Sequence, residues 1–163
     1  LMLAMMVPFV AVLVTLFQMF TKAKLINSWA GFIMPSIATP FLIMYFRNSA
    51  RSIPRDTLEA ARIDVLNEFQ IFIRMFIPMM KPTYASAATI TFINAWNAYL
   101  WPKVIMQTNQ AITMPMLVAN TMGGYVIDYG VVMAAVTICS LPTVIIFFCL
   151  QKSFTNAVAG AVK

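Results

Sequence analysis

The length and recurrence of its uncharged apolar runs constrain this chain more than any other feature. Four stretches, at about residues 1–20, 29–46, 83–106 and 130–150, are each near the ~20 residues a helix needs to cross a ~30 Å hydrocarbon core. Lipid offers no hydrogen-bond partner to a backbone N–H or C=O, so such runs are expected to be helices rather than open strands. Hydrophobic residues make up 61% of the chain and charged residues 10%, against about 25% charged in ordinary soluble domains. A single soluble core could not bury that much apolar surface. A cleavable signal peptide explains the apolar start poorly, because comparable runs recur to the end. The expected fold is all-α: one polytopic transmembrane helix bundle over residues 1–163, with a helical loop at 47–82.

The basic residues give that bundle an orientation. Arg47, Arg51, Arg55, Arg62, Arg74 and Lys81 all fall in the 47–82 loop, whereas Gln107 to Tyr129 holds no lysine or arginine. Basic loops stay cytoplasmic, so the first is expected inside and the second outside. The tail with Lys152 and Lys163 is then cytoplasmic, and Lys22 and Lys24 are a minor exception. The net charge of +6 is thus topological, and nucleic acid is not an expected partner.

Soluble-enzyme chemistry finds little to use. There is no histidine, which excludes histidine acid–base catalysis, and no metal or catalytic site is expected. No G-x-x-x-x-G-K-[ST] run is present, so any ATP would be hydrolysed by a partner. Cys139 and Cys149, ten residues apart on a helix, would be about 15 Å apart, beyond the ~7 Å reach of a disulfide.

Pro8, Pro35, Pro40 and Pro142 fall inside the apolar runs, with Ser36, Thr39, Ser140 and Thr143 beside three of them. Proline removes a helix hydrogen bond, and hydroxyls can satisfy the freed carbonyl. Bent helices around a substrate path and ordinary bundle packing both fit. In the third run, Thr91, Asn94, Asn97 and Trp101 share about a third of the circumference at ~100° per residue. Buried amides often bond neighbouring helices. They could also line a path for a sugar, whose hydroxyls need hydrogen bonds and whose ring faces stack on aromatics. Trp96 points to the other side and is expected to pack. Tyr99, Trp101 and Lys103 fall near the outer interface, where an anchoring role is expected.

The cytoplasmic loop, RSIPRDTLEAARIDVLNEFQIFIRMFIPMMKP from Arg51, reads as two short helices parted at about Val65–Asn67. Ser52, Pro54 and Asp56 suit the first turn of one helix. Asn67 can cap the other, with Glu68 in its first turn, and Pro78 and Pro82 end it. Phe69, Phe72, Ile73, Phe76 and Ile77 form a helical stripe. From these features alone the pair could rest on the membrane surface or dock on another protein.

Residue identities favour docking. Glu59-Ala60-Ala61, three residues, Val65, nine residues, then Met75-Phe76-Ile77-Pro78 resembles the EAA loop of binding-protein-dependent ABC importers. That pattern is E-A-A, three residues, G, nine residues, I-x-L-P. The segments SWAGFIMPSIATPFLIMYFRNSARSIP, FINAWNAYLWP and QKSFTNAVAGAVK are similar to the carbohydrate-uptake branch, the maltose-type second permease. The resemblance implies a bacterial inner-membrane subunit, non-catalytic and without cofactor. Its implied partners are an ABC ATPase dimer, a second permease, an external solute-binding protein near the 107–129 loop, and membrane lipid. Six spans are typical of that family, so the four here would be its third to sixth, in the C-terminal portion of a larger protein. The implied ATPase-coupling residues are Glu59, Ala60, Ala61, Asp64, Val65, Phe69, Phe72 and Pro78. Val65 stands where the family has glycine, and a β-branched side chain resists the turn conformations that glycine adopts. The same architecture could import another solute, such as a polyol, glycerol phosphate or peptide. A channel or scaffold that works without an ATPase is a further alternative.

Overall fold

A computed structural model describes residues 1–63, 66–108, 112–123 and 127–160, with side chains described as far as Cys149. All regular elements among these residues are helical. Prolines divide three of the four apolar runs. The first becomes α1 (Met2–Met6) and α2 (Phe9–Lys22). Val7 between them is extended at φ −78° and ψ 116°, the conformation that steric conflict with a following proline enforces. The second run becomes α3 (Trp29–Ile37) and α4 (Pro40–Arg51), bent by 42°. Thr39 caps α4 by accepting from Leu42 N–H at 3.3 Å, and Pro40 fills its first position, where no N–H is needed.

The third run is α8 (Lys81–Trp96) followed by the short α9 (Leu100–Ile105). Pro102 explains the break, because a continuous helix would drive its ring into the carbonyl of Ala98. That carbonyl instead accepts from the hydroxyl of Thr113 at 3.3 Å. Pro82 sits in the first turn of α8 rather than outside it. The fourth run is continuous within α11 (Tyr129–Gly160), with Pro142 inside. Asp128 caps it, its carboxylate accepting from the N–H groups of Gly130 at 2.9 Å and Val131 at 3.2 Å. By length and apolarity Tyr129–Cys149 can cross a membrane as one helix of 21 residues, and α3 with α4 can do so as a bent pair.

Helix α8 lies along α11, which also receives α10 (Met114–Thr121), while α9 packs on α2 and α3. The buried cluster of Trp101, Ile105 and Met106 is surrounded by Leu13, Leu16, Phe20, Ile26 and Phe32. Trp101 meets Phe20 edge-on at 5.4 Å between centroids. Asn27, in the left-handed region at φ 54°, locks the α2–α3 turn to the end of α9. Its N–H donates to Ile105 O at 2.9 Å, and its side-chain oxygen accepts from the N–H groups of Gln107 and Thr108.

Outside that cluster the packing is open. The chain exposes 11812 Å², whereas a compact soluble monomer of 18.2 kDa exposes about 8,100 Å². Much of the excess is apolar. Met133, Ile138, Ile145, Phe147 and Phe148 of α11 are all more than half exposed. Surface of this kind is covered by lipid or by other subunits.

Candidate functional site

The loop after α4 carries the signature residues. Ser52 closes α4, its hydroxyl donating to Ser49 O at 2.7 Å, so it does not open the next helix as its sequence position suggested. Pro54 precedes α5 (Arg55–Ile63), and Asp56 lies in the first turn of that helix. Glu59 and Ala60 are exposed, whereas Ala61 is buried at 3%. The motif therefore presents a carboxylate and a methyl outward and uses its second alanine for packing. Asp64 and Val65 lie outside the described residues.

The second helix begins at Asn67 as expected. Its side-chain oxygen accepts from Gln70 N–H at 2.8 Å, and Gln70 Oε1 accepts from Asn67 N–H at 3.2 Å. This is a reciprocal capping box, to which Gln70 contributes a half that the sequence reading missed. Helix α6 (Glu68–Ile71) runs into a π-helical turn at Phe72–Phe76 and then α7 (Ile77–Met79). The N–H of Ile77 reaches back to Phe72 O. Pro78 accounts for the widened turn, since its ring opposes the carbonyl of Arg74 in regular α geometry. The helix breaks at Met80, between the two prolines expected to end it.

The phenylalanine stripe points away from the rest of the chain over its first part. Phe69 at 71%, Phe72 at 48% and Ile73 at 45% are exposed, and the buried residue of α6 is Ile71 at 4%. A strict 3.6-residue period has no place for the extra residue of a π turn, which shifts Phe76 and Ile77 to half-buried positions. Phe72 stacks on Phe76 at 5.5 Å. Pro78 is exposed.

Arg62 joins the two helices. Its Nε donates to Glu68 Oε1 at 2.9 Å and its Nη2 to Oε2 at 3.4 Å. The hydrogen bond to Glu68, then the charges of Glu68 and Glu59, raise the guanidinium pKa further above its ordinary value. Arg62 and Glu68 are six residues apart, a spacing that places no two residues together on one helix. Helix periodicity therefore could not reveal the pair.

Thr91 and Asn94 on α8 are exposed, as is Asn97, which caps its C-terminus and whose amide donates to Ile93 O at 2.9 Å. Trp101 does not continue their face. The break before α9 carries it into the buried cluster, where its indole N–H donates to Gly31 O at 3.2 Å. Trp96 packs as expected, donating to Cys139 O at 2.8 Å and so joining α8 to α11. Lys103 Nζ donates to Tyr99 Oη at 2.6 Å. Cys139 is half-buried, Cys149 is exposed, and both are free. Among the described residues, no three acidic, cysteine or histidine side chains converge.

Residues 1–160 match the family model described as the binding-protein-dependent transport system inner membrane component. The lactose transport system permease protein of Rhizobium radiobacter is 38% identical over 161 residues, covering 99% of this chain and 59% of the relative. The arabinooligosaccharides transport system permease protein of Bacillus subtilis is 34% identical over 160 residues, 98% of this chain and 57% of the relative. An sn-glycerol-3-phosphate transport system permease protein of Salmonella typhi is 30% identical over 151 residues, 90% of this chain and 53% of the relative. The chain thus spans little more than half the length of these curated relatives.

Proposed function

The chain belongs to the family of binding-protein-dependent transport system inner membrane components, and from that premise we propose that it forms part of the translocation path of an ATP-driven importer. The cargo is a sugar or oligosaccharide. Relatives named for lactose and arabinooligosaccharides support this reading, as do the neutral amides and hydroxyl exposed on α8. A relative named for sn-glycerol-3-phosphate makes an anionic cargo the second reading. The absence of any charged residue between Lys81 and Lys103 argues against it, because a buried anion needs a paired charge.

The subunit is non-catalytic and works with an ABC ATPase dimer, a second permease and an external solute-binding protein. Its 47–82 loop and its C-terminus face the cytoplasm, and residues 1–20, 29–46, 83–106 and 130–150 are its membrane segments. One observation carries the coupling role: the loop that holds the signature exposes Glu59 and Ala60 on one helix, and Phe69, Phe72 and Ile73 on the next. An exposed carboxylate suits basic or amide donors on a partner, the small alanine permits close approach, and the apolar residues supply buried area. When ATP closes the ATPase dimer, the docked loop moves with it, and the broken helices switch the cavity between its two faces.

Purification of the full-length protein from detergent-solubilised membranes tests the assignment. It predicts that an ABC ATPase co-purifies at stoichiometric levels and that Glu59→Lys reduces its recovery. Solute flux through the purified protein with no ATPase present would instead support a channel.

A further inference from the structure

From the Arg62–Glu68 geometry, we propose that this ion pair is the positioning element of the coupling loop, holding α5 and α6 at the angle that lets both engage the ATPase together. The proposal deepens the coupling role given above and rests on it. The two ends it joins are already prepared. Helix α5 closes with Leu66 N–H donating to Ala61 O at 3.3 Å, and α6 opens on the Asn67–Gln70 capping box. Each device acts within its own part of the loop. Among the described residues, Arg62 and Glu68 form the one side-chain bond that ties α5 to α6.

The pair is also suited to matter more in the complex than in the free chain. Arg62 and Glu68 are 54% and 75% exposed, and an ion pair so open to water adds little to stability. The individual helices therefore do not depend on it, and what it sets is the angle between them. A partner closing over the loop would exclude water from the pair and strengthen it. The planar guanidinium meets both carboxylate oxygens, so it constrains orientation as well as distance. Glu59, one turn before Arg62 on α5, adds to the negative charge that favours the ionised guanidinium. What the clamp fixes is the relation between the exposed Glu59–Ala60 surface and the exposed Phe69–Phe72 surface.

Two measurements test it. In the full importer reconstituted in proteoliposomes, Arg62→Glu and Glu68→Arg singly should each lower solute transported per ATP at least threefold. The double swap should recover at least half the wild-type ratio, as only a pairwise role allows. Wild-type coupling in both single variants would overturn the proposal, and so would singles that fail with a swap that recovers nothing. The second measurement needs no ATPase. Spin labels at Asp56→Cys and Arg74→Cys, with Cys139 and Cys149 replaced by alanine, report the interhelix distance in detergent. Glu68→Gln should broaden that distance distribution, and an unchanged distribution overturns the clamp. If the wild-type protein binds no ATPase yet Glu68→Gln broadens the distribution, the coupling assignment fails while the clamp stands.

Discussion

The indole N–H of Trp101 donates to the carbonyl oxygen of Gly31 at 3.2 Å, and Pro35 explains why that carbonyl is open to it. In α3, Gly31 O would accept from the N–H four residues on, and residue 35 has none. Trp101 takes the vacant acceptor from α9 and so ties the third apolar run to the second. Gly31 itself admits no side chain, since a Cβ there would collide with the carbonyl oxygen of Leu25.

Trp101→Phe keeps the aromatic contacts with Phe9 and Phe20 but leaves Gly31 O unsatisfied. A buried acceptor left without a donor costs about 1–3 kcal/mol. Thermal unfolding in detergent should show the loss. An unchanged midpoint would mean that the bond contributes nothing.

Gly31→Ala should be at least as damaging. Its methyl group would meet backbone rather than the flexible end of a side chain, so α3 must shift off the α2–α3 turn. Overpacking of this kind typically costs about 1–3 kcal/mol. Lower yield of folded protein and a lower melting temperature are expected, with Ser28 no longer capping α3 at 3.0 Å.

Asn67→Ala removes half of the capping box, a change worth about 1 kcal/mol. The loop bears it locally. Hydrogen exchange should rise in residues 68–71 and leave α8 unaffected. Equal protection in both variants would show that the cap is dispensable.

Asn94→Leu separates transport from packing. Asn94 is exposed on α8, so the account expects weaker solute uptake with ATPase assembly intact. Collapse of assembly would mean that Asn94 bonds a neighbouring subunit instead.

The helical class and the existence of two loop helices were legible because they rest on composition, apolar run length and local capping residues. Asn67 could be read as a cap because capping is decided within one turn. Continuity of the runs was legible only in part, since Pro8 and Pro40 were read as kinks and the first two runs do break there. Pro102 passed as an ordinary member of a span although it ends α8, and its effect depends on where Ala98 O finds another donor. The π turn ahead of Pro78 was not legible either, and because it breaks the 3.6-residue period the open face of the stripe covers Phe69, Phe72 and Ile73 but not Phe76 and Ile77. Trp101 shared a computed face with Asn94 and Asn97 only while the helix was taken as unbroken. The Arg62–Glu68 pair bridges two helices, and spacing within one helix cannot register it.

Solute transport and solute-stimulated ATP hydrolysis, each measured in proteoliposomes that carry the full importer with Glu59→Lys, test the coupling claim most directly. Glu59 is exposed beside Ala60 on α5, so reversing its charge should leave the helices intact while disturbing the docked surface and the charge beside Arg62. A drop of at least tenfold in solute-stimulated ATPase activity and in transport is expected, with normal membrane insertion of the variant. Wild-type values for both would contradict it.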